Sequence, residues 1–280
     1  MSANFDARVT PARPDLAAAF LQGRVAAQKF VEGTVMQVAC GMVDLRAAPS
    51  YDAGLHTQLL FGEHFTVYEN KSGWVWGQSA LDGYVGYARS EHFADAGRAT
   101  HWVISLATPL LNAPDVKKGA PDMLPMNAKL AVAESDERFV RLEDGGYAFA
   151  GHLAPLGHHA ADWVAVAEKF VGIPYVWGGK TSAGIDCSGL VQTALEAGGI
   201  KSPRDTDMME AQLGKSIALD AELQRGDLIF WKGHVGLMLD AARIIHANGY
   251  FMQVSIEPLA LVRERTLAKE GAPVRTIKRL

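Results

Sequence analysis

The chain has 280 residues, 49% hydrophobic and 21% charged, an ordinary composition long enough for two or three small domains with real cores. A formal net charge of -4, a pI near 6.1 and no long run of one sign exclude the electrostatic footprint of a nucleic-acid or anionic-membrane partner. Two cysteines, Cys40 and Cys187, are too few for a disulfide framework or a sulfur-rich zinc site, and they point to a reducing compartment.

The opening segment MSANFDARVTPARPD carries Asp6, Pro11, Pro14 and Asp15 where a secretory leader would need an apolar core. No later segment approaches the roughly 18 uninterrupted apolar residues of a membrane span, so the expected location is the cytoplasm. The next stretch, DLAAAFLQGRVAAQKFV, places Leu16, Ala19, Phe20, Val25 and Ala26 at helical spacing and predicts a helix broken near Gly23, within an N-terminal segment 1–32.

From about residue 33 the period becomes two. TVMQVAC, HFTVYE and GWVWGQ are short strands separated by turn residues. LRAAPS at Leu45 is echoed by LLNAPD at Leu110, and LDGYVGYA at Leu81 by EDGGYAFAG at Glu143, so the region reads as two copies of one small barrel, 33–97 and 98–156. Their order of strand, turn and Gly-Tyr resembles the bacterial SH3-type barrels.

Residues 157–280 change to an α+β layout: a helix in AADWVAVAEKFVG, a glycine-rich loop, a second helix and three apolar strands with tight turns. In GIDCSGLVQTALEAGG, Leu190, Val191, Ala194 and Leu195 form the apolar stripe, and Asp186 or Gly184 caps the start. Cys187 then occupies the first helical position, where free backbone N–H groups and the helix dipole lower a thiol pKa. The bland alternatives are a small buried hydrophobe for Cys187, and for Cys40 a packed strand residue.

A thiol nucleophile needs a base. His234 in GHVGLML and His246 in ARIIHANG lie on successive strand-like runs and supply a base and an orienting residue. They share one face only if paired residues have an even sum, such as Gly236 opposite His246, which requires an odd loop such as Asp240-Ala241-Ala242. The three residues match no familiar zinc spacing, so neither a metal nor another cofactor is expected.

PYVWGG (174–179), GIDCSGLVQ (184–192), SPRDT (202–206), LQRGDLIFW (223–231), GHVGLML (233–239) and RIIHANG (243–249) occur in the order seen in the NlpC family of papain-like, murein-cleaving cysteine peptidases. The resemblance covers about residues 160–280 and, with the paired barrels ahead of it, is similar to the subgroup that recycles cell-wall peptides. It implies two SH3-like barrels plus an α+β papain-like catalytic domain. It also implies hydrolysis of the γ-D-glutamyl–L-diamino acid bond in free murein peptides with an N-terminal L-Ala.

The same resemblance implies Cys187 as nucleophile, His234 as base and His246 as its orienting partner. Tyr175 becomes an oxyanion donor, or with Trp177 a packing residue. Asp205 and Thr206 meet the substrate ammonium, unless Asp205 is a solvated turn residue. Asp186 and Ser188 cap the helix and line the groove, and Glu63 and Tyr84 of the first barrel complete the amine pocket, or serve there as a solvated acid and a packed ring. An acyltransferase or amidase, and a non-catalytic binder of wall fragments, are the competing readings. No oligomeric state is predicted.

Overall fold

The computed structural model describes residues 5–271 and 273–280, which divide into two compact units on either side of the 156–157 boundary.

The first unit is built almost wholly of short antiparallel strands. Its main sheet has seven, in the order Leu55–Leu60, Met42–Arg46, Val85–Arg89, Trp74–Ser79, His64–Lys71, Thr34–Val38 and Phe93–Asp95. Alternation decides which side chains turn inward: in HFTVYENK, Phe65 and Val67 are buried and join Val38, Val43, Leu45, Leu59, Val75 and Tyr84 in one core. A one-turn 3-10 helix, Ser90–His92, precedes the last of these strands.

The same device recurs in the echo of the repeat, as Ala150–His152 before Leu153–Pro155. There Val103, Leu124, Ala128, Leu130, Val140, Leu142 and Ala148 form a second core, into which Phe61 of the first β module inserts. Lys129 N–H donates to Phe61 O at 2.8 Å and Gly41 N–H to Asp122 Oδ2 at 2.6 Å, tying the two modules together.

The N-terminal helix expected over 15–31 is absent. Leu16–Ala18 and Lys29–Val31 instead pair as parallel strands, with a single 3-10 turn, Ala19–Leu21, after the first. Tertiary packing overrides the weak helical spacing here. Leu16, Ala17 and Ala18 are buried consecutively, which no one-sided helix allows, and Leu16 packs on Trp76 and Val85. Arg13 fixes the approach: its guanidinium lies over Trp76 at 4.4 Å and pairs with Glu69 at 2.9 Å.

The second unit centres on a six-stranded antiparallel sheet in the order Lys215–Ile217, Thr276–Arg279, Leu228–Trp231, His234–Met238, Arg243–Asn248 and Gln253–Pro258. Helix α1 is Trp163–Glu168, α2 Cys187–Ala197, α3 Thr206–Gln212 and α4 Leu259–Glu270. Asp162 caps α1 by accepting from Val164 and Ala165 N–H at 3.1 Å each. Helix α1 packs on α2, and α2 on the His234–Met238 and Arg243–Asn248 strands, which brings its first turn to the histidine-bearing strands.

Candidate active site

Asp186 stands at the N-cap of α2 in extended backbone, and its Oδ1 accepts from Gly189 N–H at 2.6 Å. Its Oδ2 accepts from Gly178 N–H at 2.7 Å, which ties the preceding glycine loop to the helix start. Gly189 is required for this approach, because a Cβ there would run into the carbonyl of Gly179.

The same carboxylate is gripped by Arg204, which donates from Nη2 to Oδ2 at 2.7 Å and from Nη1 to Oδ1 at 3.0 Å. Arg204 also donates to Ser188 Oγ at 2.7 Å and is only 1% exposed. Asp186 has the capping place expected of it, and both it and Ser188 are buried, with their polar atoms engaged by Arg204 under the first turn of α2. Sequence reasoning passed over Arg204, although an arginine in SPRDT is the natural counter-charge for a cap aspartate that must be buried.

The thiol is buried as well. Val235 N–H donates to it, and Thr206 Oγ1 lies 3.9 Å from Sγ. Burial and then the Asp186 charge push the Cys187 pKa up, against the smaller pull of Val235, Thr206 and Arg204. The expectation of a lowered pKa at the helix start is thus reversed by desolvation and by the cap carboxylate itself. No hydrogen bond joins the thiol to the His234 ring among the described residues, a contact that apo sites often complete only around substrate.

The hairpin has the register the histidines require. Leu237 faces Ile245 and Met238 faces Ile244, Leu239 N–H donates to Arg243 O at 2.8 Å, and Asp240–Ala242 form the odd loop. Gly236 leaves room for His246: a Cβ on it would sit 3.1 Å from His246 Cβ. On this shared face His234 Nε2 lies 2.8 Å from His246 Nδ1.

The chain of contacts continues beyond what the sequence suggested. His246 Nε2 lies 2.8 Å from Glu257 Oε1 on the neighbouring strand, and Arg265 of α4 donates to the same carboxylate at 2.6 and 2.9 Å. His246 and Glu257 are 1% and 7% exposed. Burial, then His246 and Arg265, pull the His234 pKa down to about 3. Burial raises that of Glu257, but hydrogen bonds from His246 and Arg265 outweigh it and hold the carboxyl at about 2. The signal for Glu257 was its place in the alternating strand QVSIEP, two residues beyond Ser255, which pairs with His246.

Tyr175 is half-buried in an isolated parallel bridge to Ile185, whereas Trp177 is 68% exposed and packs no core. Burial, Cys187 and Asp186 raise the Tyr175 pKa, so its phenol stays protonated within electrostatic reach of the thiol. Asp205 precedes α3 but makes no side-chain cap, and Thr206 is the first residue of that helix. Glu63 and Tyr84 are 2% and 3% exposed, so neither is an open surface group, and Tyr84 belongs to the apolar core of the first β module. Cys40 is half-buried, donates to Met42 O at 3.1 Å, and is pushed by burial to about 11. Among the described residues no helix is long and apolar enough to cross a membrane, and no cluster of three or more His, Cys, Asp and Glu is placed to hold a metal.

Residues 172–268 match the NlpC/P60 family model, and residues 45–93 match that of the bacterial dipeptidyl-peptidase Sh3 domain. The chain is 28% identical over 239 residues to a gamma-D-glutamyl-L-lysine dipeptidyl-peptidase of Bacillus cereus, covering 73% of this chain and 71% of that one. It is 29% identical over 243 residues to dipeptidyl-peptidase 6 of Lysinibacillus sphaericus, covering 78% and 89%. A solved NlpC/P60 family protein from Bacillus cereus shares the fold, with a TM-score of 0.73 and 21% identity over 88% of this chain and 99% of that one. The matched segments and these relatives make the chain a peptide hydrolase. The chain carries an NlpC/P60 domain together with a bacterial dipeptidyl-peptidase SH3 domain.

Proposed function

We propose that the protein is a cytoplasmic cysteine peptidase that hydrolyses the γ-D-glutamyl–L-diamino acid bond of free murein peptides bearing an N-terminal L-Ala, and so recycles wall fragments. The observation that carries the reading is the placement of Cys187 at the start of α2, against the strand that bears the linked His234–His246–Glu257 chain. The names of the two relatives support the substrate class. We read the echo in residues 98–156 as a second SH3-type barrel and the second unit as papain-like.

In this mechanism Cys187 Sγ attacks the γ-glutamyl carbonyl carbon while His234 takes the thiol proton, so that attack and deprotonation are coupled and no standing thiolate is needed. The Cys187 backbone N–H, free at the helix start, and the protonated Tyr175 hydroxyl donate to the developing oxyanion. His234 then passes the proton to the leaving amine of the diamino acid as the C–N bond breaks. Water, deprotonated by His234, releases the dipeptide L-Ala-γ-D-Glu and restores the thiol. Asp205 and Thr206 bind the substrate ammonium, a reading supported by their place at the start of α3 and by Thr206 Oγ1 lying 3.9 Å from the Cys187 thiol.

Mass spectrometry of L-Ala-γ-D-Glu-L-Lys and L-Ala-γ-D-Glu-meso-diaminopimelate after incubation with the enzyme tests the substrate. Release of L-Ala-γ-D-Glu from either supports the proposal, and failure to cleave both removes it.

A further inference from the structure

We propose that Glu257 is a positioning residue of the catalytic site, a carboxylate that fixes the proton on both histidine rings so that His234 offers a bare Nδ1 to the thiol. The inference rests on the cysteine-peptidase reading above and adds residues that lie outside the Cys187, His234 and His246 set.

Each proton in the chain is fixed by its neighbour. An ionised carboxylate only accepts, so across the 2.8 Å contact to Glu257 Oε1 it is His246 Nε2 that carries hydrogen. A neutral His246 then has a bare Nδ1. The 2.8 Å contact from that atom to His234 Nε2 needs one hydrogen, which must come from His234. His234 is thereby protonated on Nε2 and bare on Nδ1, the one atom left to take the thiol proton. If the acid end became a donor, every step would reverse, and His234 would carry its hydrogen on Nδ1, where it cannot act as a base.

Arg265 locks the first choice. Its two-pronged grip at 2.6 and 2.9 Å keeps Glu257 ionised in a site only 7% exposed. Ser255 Oγ adds a weaker donor to Oε1 at 3.4 Å. When His234 accepts the thiol proton, its Nε2–H still donates to His246 and His246 Nε2–H to Glu257, so the new positive charge faces a fixed negative one without any proton moving down the chain.

The decisive experiment needs no variant of Glu257. Long-range proton–nitrogen NMR of the labelled wild-type protein at neutral pH, with signals assigned from His234→Ala and His246→Ala spectra, reads which ring nitrogens carry hydrogen. The proposal requires Nε2–H on both rings, and Nδ1–H on either one overturns it.

A second arm uses Glu257→Gln in the full chain. There the Arg265 donors claim the amide oxygen and leave the NH2 facing His246, which switches both tautomers. With circular dichroism showing an unchanged fold, kcat on the murein tripeptide should fall roughly a hundredfold at constant KM, with the two rings changing together in the NMR spectrum. Lost activity with wild-type tautomers retained would reduce Glu257 to a fold-supporting residue. If no murein peptide is cleaved at all, the substrate reading fails while the NMR result still decides this one.

Discussion

Asp186 and Arg204 form a bidentate ion pair beneath the first turn of α2, with side chains 8% and 1% exposed. The carboxylate caps the helix that carries Cys187 and at the same time raises the thiol pKa, so one residue both places the thiol and restrains its ionisation.

Removing one partner leaves a buried charge uncompensated. Arg204→Met should destabilise the second unit by about 3–5 kcal/mol in chemical denaturation, and Asp186→Asn, which keeps an oxygen to cap the helix, by a similar amount through the unpaired Arg204. A loss below about 1 kcal/mol in both would show that the pair is not a stability element.

Because burial and Asp186 raise the thiol pKa, the free enzyme should lack a standing thiolate–imidazolium pair. Its rate of alkylation by iodoacetamide should climb about tenfold per pH unit through the neutral range. A rate that stays level from pH 5 to 8 would mean that the thiolate is already formed.

Acid should weaken the fold in two overlapping windows. His234 titrates near 3 in the native site against 6.5 for a free side chain, so below 6.5 the unfolded chain binds a proton that the native state refuses, and stability falls until about pH 3. Glu257 titrates near 2 against 4.5, so its contribution is complete above 4.5 and lost as the pH drops towards 2. Urea midpoints measured from pH 7 to 3 should decline for wild type and decline less for His234→Gln. Equal slopes would remove His234 from the account.

The proposed role of Asp205 in binding the substrate amine is tested on the substrate and the protein together. N-acetylation of the peptide, or Asp205→Asn, should each lower kcat/KM by about ten- to a hundredfold, the worth of one charge-assisted hydrogen bond. The two changes combined should cost little more than either alone, whereas additive losses would separate Asp205 from the ammonium.

Much of the second unit was legible because its signals are local. The helical stripe from Leu190 to Leu195, the cap at Asp186 and the even-sum register of the two histidines are set by period and loop length. Arg204 and Glu257 were not legible. Each matters through a partner 18 or 11 residues away, and a lone arginine or an exposed-looking strand glutamate carries no mark of being buried. The N-terminal segment misled for the same reason: its three-residue strand exists only because Trp76 and Val85 receive Leu16.

Covalent attachment of the γ-glutamyl carbonyl to Cys187 can be read by intact-protein mass spectrometry of enzyme acid-quenched during turnover of L-Ala-γ-D-Glu-meso-diaminopimelate. The expected species is an adduct of the dipeptide less one water, mapped to the peptide that contains Cys187 and absent in Cys187→Ala, which also releases no product. Continued hydrolysis by Cys187→Ala, or turnover by wild type with the label on another residue, would contradict it.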